Sequence, residues 1–251
     1  MITPTMTTYQ RLEELDDQVA GAVLHWTLAL ADTKHKLGIR TSEWINGSPA
    51  LEAAVGASAM TQDELGHARS LFAFLKEFPA APAGIGAEND LEARDDYYCP
   101  RLLNDPWPSW LDVIAANVLV DRALHVAVQA FRNSAFAPLR GRCAKILQEE
   151  EFHRIFGDIW LARLAGWDEE KRRQLQASLN HFWGTAVGWF GPDHDPVALA
   201  LYEQGILHAT PAEMRRRWLD QVGPLLQKNG LKPPAAAVDW SRWNATYRDL
   251  V

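Results

Sequence analysis

Residues 60–75 read MTQDELGHARSLFAFL, and in this largely apolar run Glu64 and His67 stand three positions apart. Residues 147–160, LQEEEFHRIFGDIW, repeat the spacing with Glu150 and His153. Positions i and i+3 share a helix face, so each pair presents a carboxylate and an imidazole in one direction. Chance supplies about half of one such pair in a chain of this composition. A surface or salt-bridged role explains either pair taken alone; two pairs in helical stretches ask for a shared reason.

The surrounding pattern is helical throughout. Apolar residues recur at spacings of three and four over 8–45, among them Leu12, Leu15, Val19, Val23, Trp26 and Leu30. Asn46-Gly47-Ser48-Pro49 breaks that run, and a second helix is expected over about 50–77. Residues 79–108, with Pro79, Pro82, Pro100, Pro106, Pro108, Gly84 and Gly86, read as a long connection. A third helix follows over about 109–133 with Ser109 as its N-cap, and a fourth over about 139–165, closed by Gly166. Further helices are expected near 168–190 and 211–228, started by Asp168 and Thr210-Pro211, before a short terminal arm. Two helical hairpins joined by a long crossover make an all-α, ferritin-like four-helix bundle with additional C-terminal helices. The chain reads as one domain, with the bundle over about 8–166 and the added helices and arm over about 167–251.

Folding each hairpin about its turn brings an aspartate to the level of each glutamate. Glu64 faces the neighbourhood of Asp32, and Glu150 that of Asp121. Both aspartates lie in apolar segments, ALADTKHKL and NVLVDRALHVA, where an unpaired carboxylate is costly. Asp32, Glu64, His67, Asp121, Glu150 and His153 therefore form a candidate metal site. Their four carboxylates match the charge of two divalent ions, and imidazole with hard oxygen donors suits iron or manganese better than structural zinc. His35 and His125, near the two aspartates, are candidates for bracing or core roles. Glu149 and Glu151 point about 100° to either side of Glu150 and are not expected as ligands.

Composition narrows the rest. The 251 residues carry a net charge of −7, which gives no basic face for nucleic acid. Arg215-Arg216-Arg217 is read first as a solvated helix face, with an anionic ligand or subunit contact as the other option. Two cysteines in no short-spaced motif argue against a disulfide scaffold. No signal peptide and no membrane span are expected, which gives a cytoplasmic reading. The eleven tryptophans read as core or interface anchors.

Over about residues 25–235 the chain resembles the catalytic and structural α-subunits of the multicomponent phenylacetyl-CoA epoxidases. The segments that carry this are ALADTKHKLGIRTSEWINGSPALE, MTQDELGHARSL, NVLVDRALHVAVQAF, LQEEEFHRIFGDIWLARL and EMRRRWLDQV. The resemblance implies a non-haem di-iron monooxygenase that activates O2 to oxygenate an aromatic or acyl-CoA thioester, in phenylacetate catabolism. Two Fe ions, or a Mn/Fe pair, would be held by Glu64 and Glu150 as bridging or chelating carboxylates. His67 and His153 would each take one metal, and Asp32 and Asp121 would be terminal ligands. The resemblance also implies a reductase, small subunits, and an oligomer with an identical or related α-type chain. In length and segment order the chain is more similar to the structural subunits, whose metal site is degraded. The alternative is thus a non-catalytic subunit that scaffolds the catalytic chain. A ferritin- or rubrerythrin-like metal-handling role is a third reading.

Overall fold

The computed structural model describes residues 8–85, 97–234 and 238–251. It is an all-α, ferritin-like bundle built from two helical hairpins. Helix α1 spans Asp17–Ser42 and α2 spans Leu51–Leu75. The third rod of the bundle is composite: α3, Trp110–Ala116, passes through a π-helical turn, Asn117–Asp121, into α4, Arg122–Gln129. Helix α5, Ala137–Ala165, completes the four. Beyond them lie α6, Glu169–Phe190, α7, Pro196–Glu203, and α8, Pro211–Lys228. A small antiparallel hairpin follows, pairing β1, Trp243–Asn244, with β2, Asp249–Leu250. Among the described residues no helix is long and apolar enough to cross a membrane, and Cys99 and Cys143 are free and buried.

The helix ends follow local chemistry. Asp16 caps α1 by accepting a hydrogen bond from Val19 N–H at 2.8 Å, which starts the helix nine residues later than the periodicity over 8–45 suggests. The segment before it is used elsewhere: Tyr9 N–H donates to Ala135 O and Tyr9 O accepts from Ala137 N–H, tying the chain start to the α4–α5 turn. Asp168 and Thr210 cap α6 and α8 as expected, Thr210 in a reciprocal capping box with Glu213. Ser109 stands at the start of α3, but its hydroxyl donates to Asp112 Oδ2 instead of capping a backbone amide. Residues 86–96 of the expected crossover lie outside the described residues, as do residues 1–7 of the N-terminal stretch.

The added helices press on the bundle where the site lies. Trp189 Nε1 on α6 donates to Thr33 Oγ1 on α1 at 3.2 Å. Trp218 Nε1 on α8 donates to Leu119 O inside the π turn at 3.0 Å. Both rings are fully buried, as anchors should be. Close helix approach depends on missing side chains: a Cβ at Gly157 would collide with Asn117 Oδ1, and one at Gly56 would collide with the Phe156 ring. Of the basic run in α8, Arg215 bonds Asp193 and Gly191 O and lies over Trp240, while Arg216 and Arg217 are exposed.

Candidate metal centre

Glu64, Asp121, Glu150 and His153 offer one ligand atom each, all within 4.8 Å of one another, and all four are buried. They come from three bundle rods. Asp121 closes the π turn, a feature that recurs at functional sites because it re-aims one side chain inward. Asn117, four residues earlier, steadies it: Asn117 Nδ2 donates to Asp121 Oδ2 at 3.2 Å. Asp121 thus meets Glu150 as the hairpin spacing predicts, and His153 Nδ1 lies 3.1 Å from Asp121 Oδ2 and 3.3 Å from Glu64 Oε1.

The fourth rod contributes a cation. Lys34 on α1 is wholly buried, and its Nζ donates to Asp121 Oδ1 at 2.7 Å, to Glu64 Oε1 at 3.0 Å and to Glu150 Oε1. Asp32 lies at the expected level but two residues away, about 200° round the helix. Its Oδ2 accepts the Tyr98 N–H at 2.7 Å, outside the four-residue group. The hairpin arithmetic finds the height of α1 against α2; the face turned to the cluster belongs to Lys34.

His67 stands at the edge of the group. Its Nδ1 is 4.0 Å from Glu150 Oε1, is buried, and has no hydrogen-bond partner. Its Nε2 bonds Glu149 Oε2 at 2.7 Å. His153 is braced in the same manner, with Nε2 3.4 Å from Asp63 Oδ2. The acid just before each glutamate therefore holds the histidine of the facing helix, as carboxylates behind metal-ligating imidazoles do. Asp63 and Glu149 escape the i, i+3 spacing, although an acid preceding both glutamates was the available signal. Of the other histidines, His125 Nδ1 is 3.9 Å from Glu150 Oε2 and its Nε2 bonds the Gln129 amide, while His35 stacks on Tyr97.

The electrostatics balance the cluster internally. Burial lifts Glu64 to about 8 and Glu150 to about 7, against the pull of Lys34. For Asp121 the same burial is outweighed by the charges of Lys34 and His153, and its carboxyl lies well below the usual range. His153, despite burial, is raised to about 12 by Asp121 and by its bonds to Asp121, Asp63 and Glu64. Lys34 is raised as well, its desolvation overcome by the three acids. His67 is pushed down to about 3 by burial and by the cations beside it, and burial takes His125 to about 4, so both are neutral near pH 7. With Glu149 accepting from Nε2–H, the free lone pair of His67 is on Nδ1, facing the cluster.

Do these residues fit a metal? The donor chemistry does: carboxylates and imidazoles in one buried group, with Glu64 Oε2 and His67 Nδ1 left unpartnered. The arrangement with Lys34 in place does not, because the ammonium occupies the oxygens that a cation would use. The space beside the group is also small, about 10 Å³, walled by Leu37, Met60, Trp107, Val113 and Asn117. A small-molecule site commonly offers about 300–1,000 Å³.

Comparison with known proteins gives two findings. The family described as "Phenylacetic acid catabolic protein" matches residues 6–249. One component of the 1,2-phenylacetyl-CoA epoxidase of Escherichia coli (strain K12) is 29% identical over 207 residues, covering 82% of this chain. The matched part spans 66% of that relative, just under two thirds of its length.

Proposed function

The chain belongs to the phenylacetic acid catabolic protein family, and from that premise we propose that it is an α-type subunit of an epoxidase-type oxygenase complex. The complex would work on an aromatic or acyl-CoA thioester, fed by a reductase and assisted by small subunits, in the cytoplasm. Within it we assign this chain the supporting part, docked to a related chain that does the oxygen chemistry. The observation that carries the assignment is Lys34, whose ammonium bonds all three carboxylates of the buried group. The tight space beside that group agrees, since no aryl ring fits about 10 Å³. A surface for a partner is available: Leu51 and Val55 on α2 and Ile155 and Ile159 on α5 are exposed, and Gly56 meets Phe156 between them.

A second reading is favoured by the donor set. Glu64, Asp121, Glu150, His153 and His67 would hold a di-iron or Mn/Fe pair once Lys34 is withdrawn, and such a pair, when bound, supplies dioxygen activation. In that state Asp63 and Glu149 would orient the two imidazoles, and the apolar wall would exclude water. Reconstitution separates the readings. The chain with iron, reductase and phenylacetyl-CoA is expected to consume no oxygen alone, and to support turnover when a related α-type chain is added. Substrate-dependent oxygen uptake by the chain and reductase alone would overturn the supporting assignment.

A further inference from the structure

The buried group has the furniture of a metal site and the occupant of an ion pair. Two imidazoles turn Nδ1 toward the three carboxylates, and each is held from behind by an acid: His67 by Glu149, His153 by Asp63. Such bracing serves to fix a ring nitrogen on a metal; an ordinary buried salt bridge has no use for it. Two polar atoms of the group, Glu64 Oε2 and His67 Nδ1, are buried with no hydrogen-bond partner. Buried polar atoms seldom stay unpaired, and each case needs a reason. An ammonium carries only three hydrogens, and Lys34 spends its bonds on Glu64 Oε1, Asp121 Oδ1 and Glu150 Oε1. It cannot reach the nitrogen lone pair or the second Glu64 oxygen as well, whereas a metal ion gathers four to six donors.

We propose that Lys34 is a placeholder cation in a latent divalent-metal site formed by Glu64, Asp121, Glu150, His153 and His67. Ammonium and metal are alternative occupants of that one position, and neither is held while the other is present. The proposal deepens the supporting assignment made above and rests on the same cluster. It adds that the site has been closed by one side chain and not dismantled. Lys34 also has a mechanical part, since it is what ties α1 to α2, α5 and the π turn at the bundle centre. Removing it should loosen the bundle, and a divalent ion should restore it.

The test uses the full-length chain and cobalt(II) as the probe, read by metal analysis, visible absorption and thermal unfolding. The parent protein is expected to bind no stoichiometric cobalt and to unfold at the same temperature with and without it. Lys34→Ala is expected to unfold at a lower temperature, to take up about one cobalt ion per chain with d–d absorption, and to regain stability when loaded. Lys34→Glu, which adds a fourth acid in place of the ammonium, should bind cobalt at least as well. Adding His67→Ala to Lys34→Ala should weaken binding at least tenfold, the loss expected when an inner ligand goes. If Lys34→Ala does not fold alone, refolding with cobalt present is the measurement, and no gain there overturns the proposal. Stoichiometric cobalt on the parent at this group, or a Lys34→Ala protein that ignores cobalt, also overturns it. Oxygen uptake by the chain alone bears on the supporting assignment only, so the two claims fail separately.

Discussion

Two cations are wholly buried in this protein, and they are buried differently. Arg248 sits under the C-terminal hairpin. Its Nε donates to Trp189 O at 2.7 Å, one terminal nitrogen to Asp195 Oδ2 at 3.0 Å and the other to Phe190 O at 2.8 Å. Its plane lies 4.0 Å over Trp26, and Gly191, at φ +79°, leaves the room it needs. One cation faces one acid, and every guanidinium nitrogen is bonded. Lys34 instead faces three acids and two imidazoles, with Glu64 Oε2 and His67 Nδ1 unpartnered. The first is an ion pair that pins a chain end to α6. The second is a ligand shell around a substitute cation. Satisfaction of the surrounding polar atoms, more than burial of the charge, separates structural from site electrostatics.

The largest expected effect tests the satisfied centre. Arg248→Ala strands Asp195 in the core and removes packing from three tryptophan faces. It should cost about 3–5 kcal/mol in denaturant unfolding, and no added metal should recover it. Arg248→Lys should recover little, because a point charge cannot span Trp189 O, Phe190 O and Asp195 together. Recovery by divalent metal would erase the contrast with Lys34.

Next is the packing that brings the π turn to α5. Gly157→Ala drives a methyl group into Asn117 Oδ1, the amide that steadies Asp121. Overpacking of this kind should cost about 1–3 kcal/mol in urea unfolding. In the Lys34→Ala background the same change should lower cobalt affinity. Gly141→Ala, with open space around the added atom, is the matched control and should be neutral.

A pH dependence sharpens the comparison further. His153 is raised from 6.5 to about 12, so its protonated form contributes stability fully below pH 6.5 and loses it as the pH climbs. Glu64 and Glu150, raised from 4.5 to about 8 and about 7, prefer the protonated form in the fold and lose that contribution over the same rise. Neutral His67 and His125 and ionised Asp121 add no slope there. The melting temperature should therefore fall from about pH 7 to about pH 9. The slope should persist in a folded Arg248 variant and flatten in His153→Asn. The smallest effect is the exposed Arg173–Glu170 pair, where Arg173→Ala should change stability by about 0.5 kcal/mol or less.

Sequence spacing makes much of this legible, for reasons that can be named. Glu64, His67, Glu150 and His153 follow from the i, i+3 rule, and Asp121 from the fold of its hairpin, because both depend on local helix geometry. Lys34 does not follow. A lysine between polar neighbours in ADTKHK reads as surface, and its long side chain reaches a centre that no spacing rule assigns to it. A two-residue difference from Asp32 reverses the helix face, and only packing against α2 and α6 decides which face turns inward. The same applies to α7 and the C-terminal hairpin. Eight residues opened by Pro196, and two strands of two residues, carry too little periodicity to detect. The hairpin is fixed by Arg248, whose partners lie more than fifty residues away.

The most direct test is a crystal structure of the parent protein grown with manganese, with diffraction recorded at the manganese absorption edge. A placeholder Lys34 predicts no anomalous peak among Glu64, Asp121, Glu150 and His153, and Lys34 Nζ bonded to the three carboxylates. A peak at that position, with the Lys34 side chain turned out of the cluster, would contradict it.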